Sequence, residues 1–275
     1  RVYMINPISP GHVYDLVGVS DPAISPDGER VAFVRSWIEG ESGGEAEART
    51  QIMMSDGSGG DPSPFTAGPK DSLPRFSPDG LTVAFLRKDD KNRGQVWLIS
   101  TGEGEARLLC EFHGGVDDIA WSPDSISLVV VSDVDPDAKP DVDKADHVPN
   151  VKVARGIRYR EDGGGWRGGT FRQLFVVDGA TGESRQLTSV EGDNWSPAWS
   201  PDGASVAYVC DAEEDRDIRD VSGGYVVSAT GGEPKLWSDG LITVVRPTWS
   251  PDGKRIAILG SEDPEAVVSN QGWIY

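Results

Sequence analysis

The sequence predicts an all-β fold: a β-propeller of four-stranded antiparallel blades, with about four complete blades and a truncated fifth. Two observations support this prediction. A short WD-like turn motif recurs along the chain, and each copy is followed by an apolar run and then by a second strand-forming segment. The 34 Gly and 19 Pro residues among 275 favour many short strands joined by turns over long helices.

The turn motif is Ser-Pro-Asp-Gly, and its copies begin at Ser25, Ser77, Ser122, Ser200 and Ser250. The third copy ends in Ser125 instead of Gly. The four spacings are 52 (77−25), 45 (122−77), 78 (200−122) and 50 (250−200). All except the spacing of 78 are near one blade length of about 40–50 residues. Ser, Pro and Gly suit the first, second and fourth positions of a type I turn. We therefore expect each copy to join two strands, with its Asp bonding its own turn rather than a metal or phosphate.

The segments after each turn supply the other strands of a blade. Continuous apolar runs, which predict strands buried on both faces, cover residues 31–34, 83–86, 128–131, 206–209 and 256–259. A second strand follows at residues 51–54, 95–99, 173–177 and 224–227, and a Gly-rich hairpin and a closing strand complete a four-stranded blade. The fifth repeat stops at residues 273–275, so we predict a single, incomplete propeller domain over residues 1–275 that belongs to a longer protein or is completed by another segment.

The third repeat contains an insertion. The distance from Ser122 to Leu174 is 52 residues (174−122), against 19 (96−77) for the same step in the second repeat and 25 (225−200) in the fourth. We place the insertion at about residues 133–171, within the third blade. Long loops on a rigid scaffold are frequent carriers of function.

The insertion has an acidic half and a basic, aromatic half. The acidic half holds Asp133, Asp135, Asp137, Asp141, Asp143 and Asp146. It does not fit a calcium loop, because Ala138 and Lys144 stand where Gly and Glu are needed. The basic half holds Lys152, Arg155, Arg158, Tyr159, Arg160, Trp166, Arg167 and Arg172. Its candidate substrate or domain-interface residues are Arg158, Tyr159, Arg160 and Trp166, since Arg binds carboxylates in bidentate fashion; the alternative is that this half only neutralises the acidic half.

Composition disfavours several functional classes. A net charge of −19 repels phosphate backbones, so no nucleic-acid partner is expected. The two cysteines, Cys110 and Cys210, form no Cys-x-x-Cys pair, and the three histidines have no metal-ligand spacing. No apolar run is long enough to span a membrane and the N-terminus lacks a signal-peptide core. The sequence predicts a cytoplasmic protein without cofactor, metal or membrane partner.

The sequence contains two candidate catalytic groups. A Gly-x-Ser-x-Gly match at residues 40–44 is centred on Ser42, but it lies in a loop between two strands and not in the strand–turn–helix of a nucleophile elbow. The paired carboxylates Glu213 and Glu214 could bind an amine, yet Asp211 and Asp215 beside them favour a plain acidic loop. We predict that this chain has no catalytic residues.

Two segments resemble a known family. Residues 13–16, Val-Tyr-Asp-Leu, and 19–28, Val-Ser-Asp-Pro-Ala-Ile-Ser-Pro-Asp-Gly, resemble the opening of the propeller in prolyl-oligopeptidase-type serine peptidases, most of all the acylaminoacyl-peptidase-like branch. Residues 158–166, Arg-Tyr-Arg-Glu-Asp-Gly-Gly-Gly-Trp, with 173–178 resemble the third blade of that branch. The likeness covers essentially the whole chain, although TolB-like propellers of Tol translocation share the turn motif.

The resemblance implies a function for the chain. In that family an α/β-hydrolase domain with a Ser, Asp and His triad follows the propeller, which caps the active site and admits only short peptides. The chain is then a substrate-gating propeller whose partners are a C-terminal hydrolase domain outside this sequence and short peptides. No segment matches the hydrolase domain, so no catalytic residue is carried over. The alternatives are a non-catalytic TolB-like scaffold that binds a protein partner and a free-standing hydrolase using Ser42.

Overall fold

The computed structural model confirms the predicted all-β fold class. It describes residues 9–40, 45–102, 104–135, 154, 156–161, 165–167, 169–212, 216, 218, 221–262 and 273–274. Apart from one short 3-10 helix, Pro10–Asp15, every regular element among these residues is a strand. The chain divides into two compact units, Arg1–Leu108 and Leu109–Tyr275. The single domain over residues 1–275 stays a prediction.

The first unit holds two antiparallel sheets. The first sheet has the order β1-β2-β3-β4, with β1 Gly18–Ile24, β2 Val31–Gly40, β3 Ala46–Ser55 and β4 Ser63–Pro64. The second has the order β5-β6-β7-β8, with β5 Asp71–Phe76, β6 Thr82–Lys88, β7 Gly94–Ser100 and β8 Arg107–Cys110. The boundary between the units falls inside β8.

The second unit holds the other three blades and a small hairpin. The third sheet, of order β14-β13-β10-β9, comprises β9 Val116–Trp121, β10 Ser127–Val134, β13 Phe171–Asp178 and β14 Ser184–Gln186. Between β10 and β13 lies the hairpin of β11 Arg160–Glu161 and β12 Gly165–Trp166. The fourth sheet comprises β15 Asn194–Trp199, β16 Ser205–Cys210, β17 Gly223–Ser228 and β18 Lys235–Leu236. The fifth has three strands in its described part, β19 Thr243–Trp249, β20 Ile256–Ser261 and β21 Trp273–Ile274.

All five turn motifs have the same hydrogen bonds, which confirms that each Asp serves its own turn. The Ser hydroxyl donates to the Asp carboxylate at 2.5–2.6 Å, and that carboxylate accepts the amide two residues further on at 3.0–3.1 Å. The fourth position is left-handed even in the third copy, where Ser125 has φ 62°. The Ser hydroxyl, then the turn amide, lowers the pKa of Asp27, Asp79, Asp124, Asp202 and Asp252.

The first strand of four sheets is interrupted by a left-handed residue that precedes a proline. These residues, with φ between 48° and 55°, are Asp21, Leu73, Ser196 and Arg246. The pairing register shifts at each of them. Proline has no amide to donate, so it is tolerated at a bulge in an edge strand. The sequence signal is a Pro three residues before the turn Ser, a position that Ile119 takes in the third repeat.

The predicted burial of the apolar runs on both faces holds for three strands of five. The runs of β6, β10 and β16 are buried throughout. In β2, Ala32 and Val34 are buried against the second sheet, but the alternate residues are only half-buried. In β20, Ile258 packs on the fourth sheet while Leu259 is 39% exposed. The runs are equally apolar, and a face is buried only where a neighbouring sheet packs on it.

Tryptophans tie successive sheets of the second unit together. The indole nitrogen of Trp199 in the fourth sheet donates to the carbonyl of Ala120 in the third at 3.2 Å. Trp249 in the fifth sheet donates in the same way to Ala198 in the fourth at 3.1 Å. Trp199 and Trp249 each directly precede a turn motif. The residue before the turn thus forms the junction between blades in both repeats.

Candidate functional site

The structure brings three of the four candidate residues together on the β11–β12 hairpin. Arg160 and Trp166 are direct cross-strand partners. The ring of Tyr159, which precedes β11, lies 5.5 Å from the Trp166 ring, with the ring planes inclined at 52°. Tyr159 and Arg160 are exposed, whereas Trp166 is half-buried. The hairpin therefore presents one guanidinium and two aromatic rings.

The fourth candidate, Arg158, has a different role. Its guanidinium forms an ion pair of 3.2 Å with Asp211, the residue that follows β16 of the fourth sheet. The Asp211 side chain is only 9% exposed, against 42% for Arg158. Arg158 thus reaches from the insertion of the third blade onto the fourth blade and attaches the start of the hairpin there.

The end of the hairpin is attached more firmly. Arg167 donates two hydrogen bonds to the Asp193 carboxylate, of 2.6 and 2.7 Å, with both side chains largely buried. The Arg172 amide donates to the same carboxylate at 2.8 Å. Burial opposes ionisation of Asp193, but the Arg167 hydrogen bonds and the Arg172 amide outweigh it and lower the pKa of that carboxyl. The pair is therefore ionised at neutral pH.

The two anchor points are linked to each other. The Asp193 amide donates to the Asp211 carboxylate at 2.6 Å. These aspartates flank the β15–β16 hairpin, whose terminal residues Asn194 and Cys210 are register partners. Burial raises the pKa of Asp211 although the Asp193 amide acts in the opposite direction. One end of the fourth blade thus offers a linked pair of carboxylates that holds both ends of the inserted hairpin.

Further carboxylates surround the anchor. Arg172 forms an ion pair of 3.0 Å with Asp117. Asp133, the first residue of the acidic half, lies 3.9 Å from the Arg167 guanidinium, and its buried Oδ1 atom accepts no hydrogen bond. Burial, and then the charge of Asp117, raises the pKa of Asp133. In the described part of the chain three arginines of the basic half thus pair with aspartates of the blades, whereas the alternative expected them to neutralise the acidic half of the insertion.

Sequence reasoning missed Asp193 and Asp211 as anchors. Both stand at the outer ends of a predicted hairpin centred on the turn that begins at Ser200, and an antiparallel hairpin brings such ends together. That placement was readable in the sequence. Their arginine partners were not, because Arg158 lies 53 residues from Asp211 and Arg167 lies 26 residues from Asp193.

The remaining sequence candidates lie partly outside the described residues. Ser42, Glu213, Glu214 and Asp215 lie outside the described residues, as does most of the acidic half of the insertion. Burial raises the pKa of both Cys110 and Cys210 to about 12, so both thiols stay protonated and poorly nucleophilic at neutral pH. In the described part of the chain no group of three or more His, Cys, Asp or Glu is arranged to hold a metal ion. No helix there has the length and apolar character needed to cross a bilayer.

Curated relatives are peptidases. The chain is 36% identical over 206 residues to an uncharacterized peptidase, YuxL, of Bacillus subtilis, an alignment that covers 74% of this chain and 31% of the relative. It is 25% identical over 277 residues to dipeptidyl-peptidase 5 of Porphyromonas gingivalis, covering 93% of this chain and 39% of the relative. The chain therefore spans between about a third and two fifths of the length of these relatives. No family model matches it.

Similar solved structures include the β-propeller domain of the trilobed protease of Pyrococcus furiosus, with a TM-score of 0.59 and 16% identity, covering 94% of this chain and 68% of that one. The chain superimposes on acylaminoacyl peptidase of Pyrococcus horikoshii with a TM-score of 0.70 and 19% identity, covering 96% of this chain and 38% of that one. It superimposes on a putative TolB of Agrobacterium tumefaciens with a TM-score of 0.59 and 18% identity, covering 89% and 71%. The resemblance predicted from the sequence is confirmed: the chain is similar to the propeller regions of acylaminoacyl peptidases and to TolB. Its relatives support a propeller of the peptidase type.

Proposed function

We propose that this chain is the substrate-gating propeller of a prolyl-oligopeptidase-type serine peptidase that acts on short peptides. An α/β-hydrolase domain outside this sequence would supply the catalytic chemistry. The observation that carries the proposal is the 36% identity over 206 residues to a bacterial peptidase about three times as long as the aligned region. On this proposal the inserted hairpin of the third blade contributes to the path of the substrate or to the interface with the hydrolase domain.

The anchored hairpin supports this role. A surface that selects substrates works best when it is held in one geometry before the substrate arrives. The Arg167–Asp193 pair and the Arg158–Asp211 pair hold the hairpin at both ends, and Tyr159 and Arg160 remain exposed to a ligand or a partner domain. Both cysteines of the chain are protonated, so the chain itself offers no activated thiol.

The test compares the full-length product of the gene with this chain alone. Both proteins are incubated with a fluorophosphonate probe, with acyl-peptide and aminoacyl chromogenic substrates, and with a peptide length series. We expect the full-length protein to be labelled and to hydrolyse short peptides, with kcat/KM falling steeply as the peptide lengthens. The isolated chain should be neither labelled nor active. A full-length protein that cuts denatured casein as readily as short peptides would contradict gating.

A non-catalytic scaffold is the second candidate. The observation that favours it is the superposition on TolB. The chain covers 71% of that protein, whereas it covers only 38% of the acylaminoacyl peptidase. A full-length protein that is not labelled and turns over no peptide would support this candidate. The remote third candidate, hydrolysis by Ser42, predicts labelling of the isolated chain that disappears in Ser42→Ala.

A further inference from the structure

We infer that Arg160 is a carboxylate-binding residue and that Arg158 is a positioning residue acting through Asp211. The inference deepens the proposed function and rests on it, because the ligand is a short peptide. The recognised group is a carboxylate, supplied either by the C-terminus of the peptide or by an acidic side chain within it. The two sources share the same chemistry and are separated by the experiment below.

The arginines of the insertion differ in their ion pairs. Arg158 is paired with Asp211 at 3.2 Å, and Arg167 is paired with Asp193 at 2.6 Å. Arg172 is paired with Asp117 at 3.0 Å and lies 3.8 Å from Asp193. Within the described ranges the exposed guanidinium of Arg160 forms no ion pair or hydrogen bond with the protein. Its five donors are therefore available to a ligand.

Arg160 lies beside aromatic side chains. It lies directly opposite Trp166 in the hairpin, so the two side chains leave the same face of the two strands. The Trp166 ring in turn contacts Tyr159. A planar guanidinium binds a carboxylate through two parallel hydrogen bonds, and nearby aromatic rings offer apolar surface to the rest of a peptide. This combination suits a peptide carboxylate better than it suits a bare inorganic anion.

The hairpin is held at its base. The Arg167 amide donates to the Tyr159 carbonyl at 3.0 Å, which extends the strand pairing by one position beyond Arg160, on the side away from the turn. The largely buried Arg167–Asp193 pair then fixes this base on the fourth blade. A group held in place before binding loses less conformational entropy when the ligand arrives. Asp193 and Asp211 consequently act on the ligand only through the position of the hairpin.

The local charges of the insertion are largely paired. Arg158, Arg167 and Arg172 face Asp211, Asp193 and Asp117, and Asp133 is a further carboxylate 3.9 Å from Arg167. Arg160 adds an exposed cation on a chain whose net charge is −19. The chain as a whole repels anions of high charge, whereas one exposed cation can hold a single carboxylate. The class of ligand is therefore a short peptide with one carboxylate at this position.

The experiment uses the full-length peptidase and two matched pairs of short peptides. One pair differs only in a C-terminal acid or amide, and the other, with an amidated C-terminus, differs only in an internal Glu or Gln. We expect the wild type to prefer the charged member of one pair, which identifies the source of the carboxylate. Arg160→Gln should lower kcat/KM for that charged peptide by about tenfold or more and lower it much less for the neutral counterpart, while Arg160→Lys retains part of the preference.

The positioning variants give a different pattern. Arg158→Gln and Asp211→Asn should lower kcat/KM for the charged and neutral peptides together, because they move the whole hairpin. Melting temperatures of all variants are compared with that of the wild type to confirm folding. Arg160→Lys serves as the second variant if Arg160→Gln does not fold.

Several outcomes would overturn the inference. A wild type without preference in either pair, or an Arg160 variant that affects both members of a pair equally, rules out carboxylate binding by Arg160. An Arg160→Gln protein whose catalytic domain separates from the propeller more readily in limited proteolysis would assign Arg160 to the domain interface instead. Turnover of the neutral peptides by the wild type tests the proposed peptidase function separately, so failure of the two ideas can be distinguished.

Discussion

Two largely buried aspartate–arginine pairs, each joined by two hydrogen bonds, have different structural roles. In the first unit, Arg87 donates two hydrogen bonds of 2.7 and 2.9 Å to Asp71, and the two residues are register partners in adjacent strands. In the second unit, Arg167 donates bonds of 2.6 and 2.7 Å to Asp193, but the arginine comes from an insertion and the aspartate from the following blade. The first pair joins two adjacent strands of one blade. The second fixes an added element onto a neighbour, so the same chemistry serves the fold in one place and the candidate site in the other.

The surroundings of the two pairs differ accordingly. The Asp71 side chain is fully buried and also accepts the Gly68 amide. The Arg87 guanidinium lies 4.5 Å from the centre of the Trp97 ring. Asp193 is bonded to the Arg172 amide and, through its own amide, to Asp211. Loss of Asp71 should therefore affect the sheet, and loss of Asp193 should affect the hairpin first.

The largest effect is expected for Asp71→Ala. The substitution leaves Arg87 buried without its carboxylate, so the free energy of unfolding should fall by about 3 kcal/mol or more. Chemical denaturation followed by fluorescence measures the loss. Asp61→Ala, at an exposed position, is the control and should change stability very little. A loss below about 1 kcal/mol for Asp71→Ala would mean that the pair does not hold the blade together.

A smaller and more local effect is expected for Asp193→Ala. The free energy of unfolding should fall by about 2 kcal/mol, because Arg167 and the Arg172 amide lose their acceptor at the edge of the blade. Hydrogen exchange measured by mass spectrometry should show faster exchange around residues 158–167 than elsewhere. Asp71→Ala is the matched comparison, since its effect should extend over the second sheet. Unchanged exchange in the hairpin of Asp193→Ala would break the distinction between the two pairs.

The smallest effect, of opposite sign, is expected for Asp133→Asn. The pKa of Asp133 in the folded protein lies above its ordinary value of 3.8, so its ionised form costs stability at neutral pH. Replacing it should raise stability by about 1 kcal/mol at neutral pH. The gain should shrink as the pH falls through the raised pKa, because the carboxyl then protonates. Melting temperatures at about pH 7 and about pH 4 measure this difference, with Asp239→Asn as the exposed control.

Equal stabilisation by Asp133→Asn at both pH values would show that the ionised carboxylate is not the source of the cost. Destabilisation at neutral pH would show that Asp133 acts as a partner of Arg167 despite their separation of 3.9 Å. The second result would group Asp133 with the aspartates that stabilise the fold through ion pairs. The first would show that its charge does not affect the stability of the fold.

Local sequence predicted the turns and strands of this fold, and repeat spacing predicted the insertion. The turn bonds join residues two or five positions apart, so Ser25 and Asp27 already contain the information. Burial was harder to predict, because the run at residues 256–259 looks like the others yet Leu259 is exposed. The neighbouring sheet decides that burial. The anchors of the hairpin were missed for a related reason, since an ion pair between blades depends on how sheets pack rather than on either segment.

The tryptophan hydrogen bonds between sheets bear on the order in which the blades form during synthesis. Trp199 donates back to Ala120, and Trp249 donates back to Ala198, so each donor comes later in the chain than its acceptor. A ribosome therefore delivers the carbonyl first and the indole second. Because chains fold from the N-terminus as they are made, each new tryptophan of these blades meets a strand that has already been synthesised. In this part of the chain, the indole nitrogens of Trp199 and Trp249 therefore have their acceptor strand already synthesised when they emerge.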